Sequence, residues 1–172
     1  MHKRNSWGGG TAQWQTLNKF LHDKAFEETE QMLVIAEGYL LNKKELFNKY
    51  TALTMTGLIN QMFQRSGESF FSEFRGCFSG AVYVKPEDKW IVYTNQVGDN
   101  PVFYLNTSEK FAAASQVNYL LGFCKEQGID LTFNESCAYQ MLTYGYIATD
   151  ETYANEIKRL HGGDYLVFQN GK

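Results

Sequence analysis

The side chains with chemistry to offer in this chain are three cysteines, three histidines and a Glu-Gly pair. A cysteine attacks as its thiolate, and it needs a neighbouring base or positive field to become one. Cys77 sits between Gly76 and Phe78 in a predicted strand, while Cys124 and Cys137 fall on the apolar faces of predicted helices. Each therefore reads as a small buried hydrophobe rather than a nucleophile. There is no Cys-x-x-Cys pair, and no His-Glu-x-x-His or His-x₃-His spacing, so no metal site is expected. The sparse, odd set of thiols reads as reduced cysteine in a cytoplasmic protein. His161 precedes Gly162-Gly163 in a predicted surface turn and reads as solvated. Trp7-Gly8-Gly9-Gly10 is rich enough in glycine to suggest a phosphate loop, but no Lys-Ser/Thr follows it and no strand is predicted before it. Glu37-Gly38 says more. A carboxylate at the end of a hydrophobic strand, beside a residue that permits close backbone approach, is a candidate pocket edge. The plain alternative is a strand-end charge before a turn.

The elements that must position these residues are legible in the periodicity. The chain has 172 residues, 44% of them hydrophobic and 20% charged, which suits one domain with a real core. A net charge of −3 excludes a dedicated nucleic-acid binder. No apolar run approaches the roughly 18 residues that span a bilayer, and Met1–Gly10 lacks the apolar stretch of a secretory signal.

Residues 1–13 read as a polar, Gly-rich leader, and Trp14 to Phe26 as a short helix or loop. Met32–Glu37 is the first firm strand. Asn42 is placed to cap a helix burying Leu46, Phe47 and Tyr50. A second helix, Thr54–Arg65, presents Leu58, Ile59, Met62 and Phe63 on one face, and a short helical stretch Glu68–Phe74 follows. Residues 77–94 form the clearest hairpin, turning at Pro86–Lys89. Strands are predicted at Val102–Leu105, Phe111–Ala114 and Tyr165–Phe168, with a helical turn over Tyr153–Leu160. Ser115 is the expected cap of a helix burying Val117, Leu120, Leu121 and Cys124. Thr132-Phe133-Asn134-Glu135 has capping-box spacing before a helix burying Ala138, Met141 and Leu142. Strands in hairpins and helices in separate blocks predict an α+β fold with a layered antiparallel core. Asn170-Gly171 normally sends a strand back antiparallel, and with so little sequence after it a piece of a longer protein is expected.

Six segments in order carry a resemblance. Ala36-Glu37-Gly38-Tyr39-Leu40-Leu41-Asn42-Lys43-Lys44-Glu45-Leu46 resembles the Asn-Gly-Glu-Ile-Tyr-Asn-x-x-Glu-Leu stretch of the glutaminase domain of asparagine synthetases. Gly67-Glu68-x-Phe70, leading to Phe74-Arg75-Gly76-Cys77-Phe78-Ser79-Gly80-Ala81, is similar to that family's Leu-Arg-Gly-Met-Phe-Ala-Phe-Ala strand. Thr94-Asn95-Gln96-Val97-Gly98-Asp99-Asn100-Pro101-Val102-Phe103-Tyr104 is similar to Arg-Asp-Arg-x-Gly-x-Lys-Pro-Leu-Tyr-Tyr. Phe111-Ala112 through Leu120-Leu121, Leu142-Thr143-Tyr144-Gly145-Tyr146, and Ile157 through Leu166 resemble its later segments.

The resemblance implies a class II glutamine amidotransferase domain over 32–172, after a divergent or truncated leader at 1–31. The implied fold is an α+β, four-layer αββα sandwich of two antiparallel sheets, of the N-terminal-nucleophile type, incomplete at the N-terminus and the C-terminus. In active members a cysteine freed by loss of the initiator Met attacks glutamine's amide, with its own α-amino group as base. An Asn-Gly pair holds the oxyanion, and an Asp grips the substrate ammonium. Carried across, the oxyanion Asn falls on Glu37, its Gly on Gly38 and the ammonium-binding Asp on Met55, with the neighbouring Thr56 retained. These four positions are the expected vestigial glutamine pocket. No catalytic residue is expected, since residue 2 is His2 and the first cysteine is Cys77.

The implied function is a degenerate glutaminase-like domain that acts as scaffold for a downstream, ATP-pyrophosphatase-type ligase domain of an asparagine-synthetase-like protein. ATP and Mg would belong to that domain, and no cofactor is expected on this chain, which lacks a Ser-Gly-Gly-x-Asp-Ser loop. The alternatives are a working glutaminase whose nucleophile lies upstream and a free-standing binding module. A homodimer is also expected, from an unpaired strand at Tyr165–Phe168 and apolar surface at Trp90 and Phe103.

Overall fold

The long strand β4 (Met32–Leu40) buries side chains on both of its faces, and that pattern demands a layer on either side. The computed structural model describes residues 2–7, 10–15, 23–108 and 110–169. With β3 (Ala25–Glu28), β5 (Gly76–Val84), β6 (Lys89–Thr94) and β10 (Tyr165–Gln169), β4 forms a five-stranded antiparallel sheet in the order β10-β6-β5-β4-β3. Val34, Ala36, Val82, Ile91 and Tyr93 point to one face. There they meet α1 (Lys43–Lys49), α2 (Met55–Ser66) and a 3₁₀ helix over Gly67–Glu73. Phe70 and Phe71 from that helix pack on the Tyr93 ring at 5.2 and 5.0 Å.

The opposite face has two covers. Leu33, Ile35, Tyr83 and Trp90 meet a hairpin of β1 (His2–Trp7) and β2 (Gly10–Gln15) through Ala12 and Trp14. Ala81, Val92 and Leu166 meet Phe111 of a second, three-stranded sheet, and Val102 and Leu160, which flank its strands. That sheet runs β8-β7-β9, with β7 (Phe103–Asn106), β8 (Phe111–Ala114) and β9 (Ile157–Arg159). Helix α3 (Val117–Gln127) packs on β7 and β8, and α4 (Glu135–Tyr144) follows it. The result is the α+β layering of two antiparallel sheets between helices that the sequence implies. No helix among the described residues is long and apolar enough to cross a membrane.

Several expectations need correction. The polar leader holds the β1–β2 hairpin, in which Thr11, Gln13 and Gln15 face solvent while Ala12 and Trp14 are buried. Among the hairpin side chains whose burial is described, Ala12 and Trp14 carry the buried face, too few to show as a period. Trp14 is thus in a strand, as are Ala25 and Phe26, where a helix or loop was expected. Residues 16–22, Gly8-Gly9 of the phosphate-loop candidate and the Asn170-Gly171 turn lie outside the described residues. Ile157–Arg159 is a strand rather than a helical turn, because its backbone completes the β7 ladder. Tyr165–Phe168 is not unpaired: it joins β6 in register, Tyr165 opposite Tyr93. Trp90 is partly buried, stacked on Tyr83 at 5.0 Å.

The caps also differ. Asn42 precedes α1 without capping it, because its side chain donates to Glu73 O and accepts from Arg75 N, pinning the entry to β5. Gln116, not Ser115, precedes α3. Asn134 rather than Thr132 caps α4, accepting from Cys137 N at 3.1 Å. Thr132 is held by the Glu156 carboxylate instead.

Candidate functional site

Glu37 lies near the end of β4, on the face toward the β1–β2 hairpin. Its carboxylate meets the Lys24 ammonium at 2.8 Å, and its other oxygen accepts from the Trp14 indole N–H at 3.1 Å. Lys24 is buried, its side chain 8% exposed against 33% for Glu37. The Glu37 carbonyl accepts from Asn100 Nδ2 at 3.4 Å. Asn100 sits in a fixed loop, where the buried Asn95 side chain donates to Gly76 O and to Asp99. Thr94 in turn donates to Asn100 O at 2.7 Å.

Gly38 has φ +116°, and a Cβ there would stand 2.1 Å from Cys77 O on the paired strand. No residue but glycine fits. Met55, the first residue of α2, is buried and faces the same small pocket as Glu37. Thr54 caps that helix by accepting from Gly57 N at 3.0 Å, which fixes Met55 in place. Thr56 is buried, has no hydrogen-bond partner for its hydroxyl, and lies outside the pocket lining. Glu37 and Met55 thus share one small pocket, whereas Gly38 and Thr56 lie outside its lining.

Sequence reasoning missed the residues that fill this point. Asp23 lines the pocket and is ion-paired with Lys43. Ser79 and Tyr93 complete the wall. The Tyr93 hydroxyl is buried without a partner, and burial pushes its pKa up. A Cβ on Gly80 would stand 2.5 Å from that hydroxyl, so the missing side chain is what admits the ring tip. Tyr93 was visible as a strand residue, but Lys24 and Asp23 belong to no apolar period. The cavity left over measures about 10 Å³. That is room for roughly one water, whereas pockets for small molecules run to about 300–1,000 Å³.

The cysteines offer no nucleophile. Burial pushes the Cys77 thiol up, and its bond to Asp99 adds to the shift. Cys124 and Cys137 are raised by burial first and then by the charges of Glu156 and Glu151. None is placed to be a thiolate near neutral pH. Cys77 is half-buried, the other two buried, and His161 is exposed.

A second concavity lies across the molecule, between α3, α4 and the 147–154 loop. It encloses about 700 Å³, walled by Phe103, Leu121, Phe133, Met141, Tyr146 and Tyr153, with Glu151 and Arg159 among its polar groups. Of the α3 face expected to be buried, Leu120 and Cys124 are buried and Leu121 is open, while Met141 and Leu142 of the α4 face are both open. Leu121 and Met141 are partly uncovered and Leu142 is 84% exposed; Cys137 is the one buried side chain of α4.

Two antiparallel sheets thus stack between helices, with a small pocket beside Glu37 at the end of β4. Residues 22–172 match the model of a family described as glutamine amidotransferase domain, and the chain belongs to that family. Among solved structures, a glutamine phosphoribosylpyrophosphate amidotransferase from B. subtilis, complexed with ADP and GMP, superposes with a TM-score of 0.52 at 12% identity. A structure described as the allosteric regulatory enzyme of purine biosynthesis gives 0.50 at 14%. Each likeness covers 84% of this chain and 28% of the other, and at such identity it speaks for the fold alone. This chain therefore spans little more than a quarter of those proteins. No curated protein matches the sequence.

Proposed function

We propose that this domain does not hydrolyse glutamine and serves as the scaffold half of an asparagine-synthetase-like, amide-forming protein. The six ordered segments favour that branch of the family. One observation carries the loss of activity: the Glu37 carboxylate, ion-paired with Lys24, stands where the resemblance puts the oxyanion donor, in a cavity of about 10 Å³. A carboxylate offers acceptors only, whereas a developing oxyanion requires donors. Loss of one such donor costs on the order of 3 kcal/mol of transition-state stabilisation. Met55, in place of the carboxylate that would bind the substrate ammonium, leaves a glutamine α-amino group without its counter-charge. In this reading the chemistry belongs to a downstream ligase domain of the ATP-pyrophosphatase type, which would bind the ATP and Mg. A working glutaminase with its nucleophile upstream is the second reading, favoured by the Gly38 backbone geometry.

Ammonia release from glutamine tests the first reading. The native chain is expected to stay at background, and so is Glu37→Asn with Met55→Asp, since neither restores a nucleophile. Turnover by the native chain well above background, abolished by Cys77→Ser, would overturn the proposal.

A further inference from the structure

Two side-chain hydroxyls are buried without a hydrogen-bond partner among the described residues, those of Tyr93 and Thr56. A buried hydroxyl left unpaired is costly, so each needs a physical account. Their surroundings differ. Tyr93 is 1% exposed, and its ring tip stands over Gly80, where a Cβ would come within 2.5 Å of the hydroxyl oxygen. It lines the pocket of about 10 Å³ beside Glu37, together with the buried Ser79 and the acidic residues Asp23 and Glu37. Thr56 has no place in that wall.

A volume of this size admits about one water molecule, and a buried water is held where two to four polar groups surround it. Burial pushes the Tyr93 pKa up, so the phenol keeps its proton and remains a donor at neutral pH. We infer that the pocket is a binding site for one ordered water, which accepts from the Tyr93 hydroxyl and is held in turn by the Ser79 hydroxyl. The carboxylates of Asp23 and Glu37 are engaged by Lys43 and Lys24, which leaves the two hydroxyls as the natural pair for a neutral molecule. The same gap at Gly80 that admits the ring tip thus leaves it a partner. The inference rests on the size and lining of the pocket and not on whether glutamine is hydrolysed, so its failure would leave the proposed function standing.

Deuterium magnetic relaxation dispersion counts the water molecules that stay on a protein longer than its tumbling time, and chemical denaturation reads the stability of the same samples. Tyr93→Phe removes only the hydroxyl. It is expected to lose one long-lived water relative to the native chain and to lower the folding equilibrium constant several-fold, up to about tenfold. Ser79→Ala is the second probe and is expected to lose the same water. Thr56→Val removes the other unpaired hydroxyl; it is expected to keep that water and to fold as tightly as the native chain or tighter. An unchanged count of long-lived waters in Tyr93→Phe, or a Tyr93→Phe chain as stable as the native one, overturns the inference. So does a loss of stability in Thr56→Val equal to that in Tyr93→Phe, which would show that the pocket makes no difference to a buried hydroxyl.

Discussion

The pocket at Glu37 and the cleft beneath α3 and α4 are opposites. The first is small and walled mostly by apolar side chains, with Asp23, Glu37 and Ser79 among them, and about 10 Å³ is left. The second is apolar, open and about seventy times larger by volume, at about 700 Å³. One region has satisfied its charges inside the fold, and the other has left its hydrophobic side chains for something else to cover. Membership of an enzyme family directs attention to the first, whereas unburied apolar surface directs it to the second.

The largest effect should come from the closed region. Gly38→Ala drives a Cβ against Cys77 O at a backbone angle that L residues avoid, and is expected to destabilise by about 3–5 kcal/mol. Chemical denaturation measures it, and a loss below 1 kcal/mol would show that β4 and β5 can separate there at little cost.

Lys24→Met should cost less, about 1–2 kcal/mol, because Glu37 retains the Trp14 bond and access to solvent. Pairing it with Glu37→Gln should recover part of that loss, and a double-mutant cycle reads the coupling. Strict additivity would mean that the two side chains are not coupled.

The smallest effect belongs to the open cleft. Leu142→Ser should leave the unfolding midpoint almost unchanged, within about 0.5 kcal/mol, since the side chain has little packing to lose. A drop of 2 kcal/mol would mean that α4 is covered within the isolated chain, and the contrast between the two regions would fail.

Much of the scaffold could be read from residue types in order. The 77–94 hairpin follows its alternation, with β5 and β6 in register from Ser79–Thr94 to Val84–Lys89. Helix α2 buries Leu58, Ile59 and Met62, as its 3.6-residue period requires. Glu37 and Met55 line one small pocket although 18 residues part them, because the end of β4 and the start of α2 are neighbours in the fold. Failures occurred where the local signal was silent or shared. The β1–β2 hairpin has too few apolar residues to show a period, and Ile157–Arg159 is a strand because β7 offers it a ladder.

What the sequence determined by itself was local: the period of each element, the turn at Pro86–Lys89, the net charge and the absence of an activated thiol. Each depends on neighbours a few residues apart. The tertiary structure alone decided the rest. It brought Lys24 and Trp14 onto Glu37 from 13 and 23 positions away, and so gave that carboxylate partners that residue types alone do not specify. It also left the apolar side of α4 in solvent, although the same periodicity in α2 produced a buried face. The physical reason is common to both outcomes. A side chain's partners are set by which surfaces the sheets bring within contact distance, and amphipathic periodicity states that a face can be buried without stating by what.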